Sequence, residues 1–362
     1  PCSTFSASRF FLTIPPGPPP VRTKTYPDGL PEAEIDPKHL RELRNTNTLL
    51  ERSVHIAVAA RNSAKKTTII GENPADSEAD IHHARKMLEG LDLLVVQDIF
   101  MTRTAEMADV VLPASIAWAE SNGTVTSSER RVQRVRAAVT PPGEARDDIQ
   151  IIFDIAARMG HDWGTPDSEQ LWNELRSLSP MHAGMSWDRL ESEGGLQWPC
   201  PDIEHPGSPF LHSWLWADDL DGREPAPFSA LVHQGPKEEL SEQFPLRLTT
   251  GRALDSYNTG VQSGGYNSPI RYGDALDMNP VDATSMGIQD GETVQVSSAR
   301  GTVKMTVRYQ ADIPEGLTFT TFHFPELVDV NVMTSDAWDK RSGTAEFKAA
   351  SIRVDKLETA SA

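Results

Sequence analysis

Between residues 67 and 112 the hydrophobic period switches repeatedly, and this constrains the fold more than any other feature of the chain. Residues 67–70 are a short β-branched run, stopped by the turn signal Gly71-Glu72-Asn73-Pro74. Asp76 is placed to cap a helix over 77–89. Ala79, Ala84, Met87, Leu88 and Leu91 form its apolar side, His83 interrupts the stripe, and Gly90 suits its end. Residues 93–96 are a continuous apolar run, the pattern of a strand buried on both faces, closed by Gln97-Asp98. A short helix over 102–108 and a strand over 109–112, stopped by Pro113, follow. Strand–helix–strand–helix–strand predicts a parallel, Rossmann-like α/β unit, placed over 66–160.

Open parallel sheets bind ligands outside the carboxyl ends of their strands. Those ends carry Glu72-Asn73 and Gln97-Asp98 here. A carboxylate at 98 either accepts from ribose hydroxyls or the N1–H/N2–H edge of guanine, or caps the helix that follows. Neither GxGxxG nor GxxxxGK[ST] occurs, so NAD-type and P-loop phosphate cradles are unsupported. Arg130, Arg131, Arg134 and Arg136 crowd one short segment, which reads equally as a phosphate or partner contact and as a solvated face. Residues 148–159 predict an amphipathic helix, with Ile151, Ile152, Ile155, Ala156 and Met159 on one side. The Trp-, Pro- and acid-rich stretch 161–240 reads as an irregular connector. Asp219-Leu220-Asp221-Gly222 lacks the first and closing ligands of a calcium loop, and His82-His83 cannot both face one ion, so no metal site is predicted.

Period two returns after residue 240, at Leu246 and Leu248, at Val294 and Val296, and at Val303, Met305 and Val307. Turn signals at Ala299-Arg300-Gly301 and Pro314-Glu315-Gly316 separate the runs. Short strands at this spacing predict a closed all-β barrel over 241–356, with 357–362 as a tail. Thr249-Thr250-Gly251-Arg252 and Tyr257-Asn258-Thr259-Gly260 offer backbone N–H groups, hydroxyls and a guanidinium, which suit a diphosphate and equally suit plain surface turns. Ser263 has the wrong surroundings for a nucleophile elbow.

Charge and composition exclude further classes. The net charge of −18 argues against a broad nucleic-acid or anionic-membrane surface. The longest apolar stretch, about 110–119, is too short for a membrane span. Two cysteines, Cys2 and Cys200, cannot supply a disulfide scaffold, a four-cysteine zinc site or a self-contained iron–sulfur cluster, and a reducing, cytoplasmic setting is the expectation. Residues 1–65 are proline-rich near the start and read as an extension, linker or truncated remnant, with helical spacing over 37–61.

Residues 95–102, 108–113, 123–134, 142–148 and 249–260 together resemble the C-terminal half of molybdopterin-dependent oxidoreductases, above all the alpha (catalytic) subunit of formate dehydrogenases. Val96-Gln97-Asp98-Ile99-Phe100-Met101-Thr102 and Glu129-Arg130-Arg131-Val132-Gln133 are the most specific strings, and the resemblance runs from about 69 to 354. It implies a double-psi-type β-barrel and a pair of molybdopterin guanine dinucleotides holding molybdenum or tungsten. The implied contacts are Gly71, Glu72, Asn73, Gln97, Asp98, Thr102, Ser121 and Asp148 in the α/β part. In the barrel they are Thr250, Gly251, Arg252, Tyr257, Asn258, Thr259, His323, Asn331 and Lys348. Ser121 stands where some relatives carry Lys, and His323 where the family has an aromatic residue. The implied reaction is oxidation of formate to CO2, with electrons passed to iron–sulfur clusters and onward to partner subunits carrying clusters or flavin, often towards NAD. The family's [4Fe-4S] segment, its Cys or selenocysteine metal ligand, and the neighbouring His and Arg lie upstream of the matched region. No catalytic residue or metal ligand is therefore assigned, and the chain alone is expected to be inactive. Two other readings stay open: a separate dinucleotide-binding module that completes a partner chain, and a molybdopterin oxidoreductase with another substrate.

Overall fold

The computed structural model describes residues 12–13, 24–25, 31–32, 66–212, 228, 230–254, 256, 258–259, 273–339 and 343–357. Apart from three two-residue strands, the predicted extension and its helix over 37–61 lie outside the described residues, as do Asp219-Leu220-Asp221-Gly222, Tyr257, Gly260 and Ser263. The chain forms two compact units.

The larger unit takes in residues 9–96, 100–111 and 234–362. The α/β elements are β1 (Lys66–Ile70), α1 (Pro74–Ser77), α2 (Ile81–Glu89), β2 (Leu93–Asp98), α3 (Arg103–Glu106) and β3 (Val110–Pro113), of which the ends of β2 and β3, residues 97–98 and 112–113, fall in the smaller unit. Leu12–Thr13, β1, β2 and β3 form a four-stranded sheet in that order. Asp109 N donates to Leu94 O at 2.9 Å and Ala114 N to Asp98 O at 3.1 Å; the partner numbers rise together, as parallel strands require. Ile69, Ala75, Leu88, Leu94, Val96 and Ala105 make its core. Ile69, Leu88, Leu94 and Val96, each nearly fully buried, contribute roughly 1.5–3 kcal/mol apiece.

The single helix expected over 77–89 is divided. Pro74 starts α1, whose missing N–H costs nothing there, and Glu78 turns extended. Asp80, not Asp76, caps the second helix: it sits in the left-handed region (φ 46°) and accepts from His83 N. A local cap therefore overrides a continuous helical pattern.

Six strands close the barrel: β7 (Leu246–Gly251), β8 (Ala275–Met278), β9 (Thr293–Ser297), β10 (Thr302–Tyr309), β11 (Leu317–Thr321) and β12 (Ala350–Lys356), arranged β7-β11-β8-β10-β9-β12. β7 pairs in parallel with β11, and β8 with β10; the other neighbours are antiparallel. Its core unites Leu248, Leu276, Met278, Val294, Val296, Met305 and Ile352 with Ile81 and Ala84 of α2. Helix α2 is thus amphipathic towards the barrel.

The smaller unit contains residues 97–99 and 112–233. β4 (Gly123–Thr126), β5 (Arg131–Val135) and β6 (Leu196–Gln197) form an antiparallel sheet beside α4 (Asp148–Arg158), α5 (Ser168–Leu178) and α6 (Trp187–Ser192). Val132, Trp172, Met185, Leu190, Leu196 and Cys200 share a core. Within the stretch 161–240, α5, α6 and β6 are regular elements, and Trp172 lies in this core with Trp187 and Trp198 packed against it.

Candidate functional site

In the smaller unit the predicted contacts gather at the end of β2. Gln97 is completely buried, and its Nε2 donates to Asp148 Oδ1 at 2.5 Å. Its Oε1 has no hydrogen-bond partner. Asp148 opens α4, which Asp147 caps by accepting from Ile149 N at 2.8 Å. Burial raises the Asp148 carboxyl's pKa, the Gln97 bond opposes this, and the negative charges of Asp147 and Asp98 add to it. Asp98 is close enough to act on Asp148, so the two carboxylates and the Gln97 carbonyl make an acceptor-rich corner. The helix after β2 is capped by Thr102, which accepts from Ala105 N at 3.2 Å, so the capping role considered for Asp98 is already filled. Ser121 is buried with its Oγ 3.1 Å from that of Ser115.

The arginine-rich segment, read from sequence as a phosphate or partner contact or a solvated face, makes contacts within its own unit. Arg130 donates to Ser208 O at 3.0 Å and Pro209 O at 2.9 Å, and lies over Trp198. Arg134 donates to Gly123 O at 2.9 Å with its guanidinium 3.3 Å from the Trp187 ring centroid. Arg136 pairs with Glu191 and Arg131 with Glu129. These cations hold the unit's own chain together.

In the larger unit, Gly71 has φ +62°, the conformation the turn after β1 needs and other residues resist. Glu72 and Asn73 behind it are buried. Asn73 Nδ2 donates to Asp76 Oδ2 at 2.8 Å, and Asn73 Oδ1 accepts from Thr104 N and Oγ1 at 3.1 and 2.7 Å. Asn331, from far along the sequence, donates through Nδ2 to Asp76 O at 3.0 Å. Glu78 is only 4% exposed, its Oε1 has no partner, and burial together with the neighbouring Glu72 charge holds its carboxyl well above the usual carboxylate range.

The barrel contacts gather around the end of β7. A Cβ at Gly251 would come 2.7 Å from Phe319 Cε2, so glycine is required by close approach. Thr250 is buried, donates through Oγ1 to Phe347 O at 2.9 Å, and accepts Lys348 Nζ at its backbone oxygen. Burial and the Arg252 charge both lower the Lys348 pKa. The two positive charges act on one another, which favours an anion near them. His323 is fully buried; its Nε2 accepts from Ala253 N at 2.9 Å and its Nδ1 meets Asn258 O, so the ring ties the 253–258 loop to β11. Asp274, which the sequence reading missed, accepts from His323 N at 3.2 Å, Phe324 N at 3.0 Å and Thr321 Oγ1. No local pattern marks it. Thr259 is buried, and Asn258 has φ 52°.

Among the described residues, Asp80, His83 and Asp336 bring ligand atoms within 4.8 Å of one another; their contacts are those of a helix cap and a partly exposed ion pair.

The donor set suits a nucleotide-linked group. An orphaned buried carbonyl beside carboxylates takes N–H and O–H donors, and cations beside threonines and a glycine suit a diphosphate. An α/β part with these strand ends and a closed barrel with this loop define a dinucleotide-binding protein. Comparison with known proteins agrees. Residues 40–158 match the family described as Molybdopterin oxidoreductase, and 246–351 match the Molydopterin dinucleotide binding domain. The first match begins inside the segment read from sequence as an extension. The chain is 41% identical over 295 residues to the F420-dependent formate dehydrogenase 2 subunit alpha of Methanococcus maripaludis, covering 80% of this chain and 42% of that protein. It is 33% identical over 292 residues to the assimilatory nitrate reductase catalytic subunit of Bacillus subtilis, covering 78% and 41%. Among solved structures, acetylene hydratase from Pelobacter acetylenicus shares the fold, with a TM-score of 0.62 and 22% identity over 84% of this chain and 46% of that one. The chain belongs to the molybdopterin oxidoreductase family, and it spans less than half the length of the relatives named here. No helix among the described residues is long and apolar enough to cross a membrane.

Proposed function

We propose that the chain is the cofactor-binding part of a formate dehydrogenase alpha subunit, and that its ligand is molybdopterin guanine dinucleotide carrying molybdenum or tungsten. The observation that carries this is the acceptor corner of Gln97, Asp98 and Asp148, where a buried carbonyl lacks a donor and a raised carboxyl lies beside it. Guanine presents adjacent N1–H and N2–H donors, which fit acceptors of this kind. Within the larger unit, Lys348 and Arg252, with Thr250 and Gly251, would hold a diphosphate, and Gly71 to Asn73 would be further contacts. When bound, the group supplies two-electron redox chemistry, which in the complete enzyme converts formate to CO2, a proton and two electrons. The residues of this chain bind and orient it. Partner subunits with iron–sulfur clusters or flavin would take the electrons, and the naming of the archaeal relatives makes F420, beside NAD, an acceptor to try.

The test is native purification followed by acid release and mass spectrometry. A guanine-containing pterin product is expected; another base, or no nucleotide, overturns the proposal. The nitrate reductase likeness favours a second reading, a different substrate on the same cofactor. Formate-dependent dye reduction by the complete enzyme supports the first reading, and nitrate-dependent dye oxidation the second.

A further inference from the structure

We propose that Asp76 is a positioning residue that couples the two asparagine-bearing segments of the cofactor site, the turn at 71–73 and the segment at 329–331. The inference rests on the functional reading above and names a residue that reading does not use. Asp76 is 4% exposed and bonds in several directions at once. Its Oδ2 takes Asn73 Nδ2 at 2.8 Å, and its backbone oxygen takes Asn331 Nδ2 at 3.0 Å. Its Oδ1 meets Arg103 Nη1 at 2.7 Å and Arg85 Nη2 at 3.3 Å. Both arginines also reach Asp329 Oδ2, at 3.3 and 2.6 Å, which closes a ring of two cations and two anions. Arg85 is held further by donating through Nε to Ala75 O at 2.8 Å.

Asp329 lies two residues before Asn331, and Asp76 lies three residues after Asn73. The ring therefore fixes both asparagines from behind. Packing alone does not explain it, because Ile81 and Ala84 already bury α2 against the barrel core. Neutralising either aspartate leaves two guanidinium groups facing one carboxylate in a largely buried place, and that imbalance frees the segments. A ligand touching one asparagine is thus felt at the other.

The experiment compares Asp76→Asn, Asp329→Asn and Ile81→Val in the natively purified full chain, reading guanine nucleotide retained per chain alongside the melting temperature. Ile81→Val loosens the same junction without touching the ring. Both aspartate variants are expected to retain about fivefold less nucleotide or lower still, the low end of ordinary site-to-site coupling, while Ile81→Val of equal or greater melting loss retains the wild-type amount. Retention that simply follows melting temperature across all three variants overturns the inference. If Asp76→Asn fails to fold, Asp329→Asn, whose side chain is 21% exposed, carries the test. A wild-type chain that retains no nucleotide counts against the functional reading instead; in that event, unequal melting losses on Asp329→Asn with and without Asn331→Ala support the coupling and equal ones overturn it.

Discussion

Gln97 and Asp148 meet at 2.5 Å, the amide of one donating to the carboxylate of the other, and this leaves the Gln97 carbonyl oxygen buried without a donor. A strand end and a helix start, separated by about fifty residues of sequence, thereby form an acceptor corner whose cost in the empty protein is the reason it can hold a donor-rich base. A buried polar atom without a partner costs roughly 1–3 kcal/mol.

Asp148→Asn should therefore separate stability from binding. The Asp148 pKa is raised in the folded chain, chiefly by burial. The folded state then holds more protons than the unfolded one, and stability falls as pH rises from the ordinary carboxylate range through the raised value. The asparagine removes that loss and keeps an acceptor for Gln97. The empty variant should melt higher than wild type at neutral pH and match it in mild acid, while its retained guanine nucleotide falls. Melting curves against pH, paired with nucleotide analysis, check both halves.

Lys348 carries the opposite sign. Burial and Arg252 lower its pKa, so the unfolded chain binds more protons below the ordinary lysine range. Stability should rise with pH across that window and drop as pH falls through the lowered value. Lys348→Met should flatten this dependence. Inorganic pyrophosphate should raise the melting temperature of wild type and leave the variant unmoved, a difference that scanning fluorimetry reads directly.

Much of the framework was legible in the residues. Ile69–Ile70, Val95–Val96 and the alternating barrel valines state their periods locally, and the structure has strands at each. The resemblance named Gln97, Asp98 and Asp148 among its implied contacts, and Gln97 and Asp148 share a hydrogen bond. Three features were not legible, because each depends on partners distant in sequence. Asp80 could displace Asp76 as a cap because Asp76 is occupied by arginines from two other helices. The connector's core needs Val132 to meet Leu196 and Cys200 across more than sixty residues. The arginines at 130–136 look like an anion site until their carbonyl and tryptophan partners are known.

His323 is placed to shape the barrel loop from within. Both ring nitrogens are engaged, with Ala253 N and Asn258 O, and the ring is completely buried. His323→Ala should leave a cavity, an unpaired amide and an unpaired carbonyl, and cost about 2–4 kcal/mol in urea unfolding. Because the freed loop holds Arg252 and Thr259, retained nucleotide should fall as well. His323→Asn, which restores one polar partner, should recover part of the stability, and a variant as stable as wild type would show that the ring has no such role.

Arg134 supplies the contrasting case of a cation that holds only its own unit. Its guanidinium stacks on Trp187, donates to Gly123 O, and lies 3.6 Å from Glu191 Oε2, so it joins the β4–β5 hairpin to α6. Arg134→Ala removes the stacking and the packing of its stem, and should cost about 1–2 kcal/mol in unfolding followed by tryptophan fluorescence. Arg134→Lys should recover only part of this, since a compact ammonium cannot stack as a planar guanidinium does. Nucleotide retention in either variant should stay at the wild-type level after correction for the unfolded fraction. A selective loss of nucleotide in Arg134→Lys, at unchanged stability, would return the arginine segment to the phosphate-binding role that its sequence also allowed.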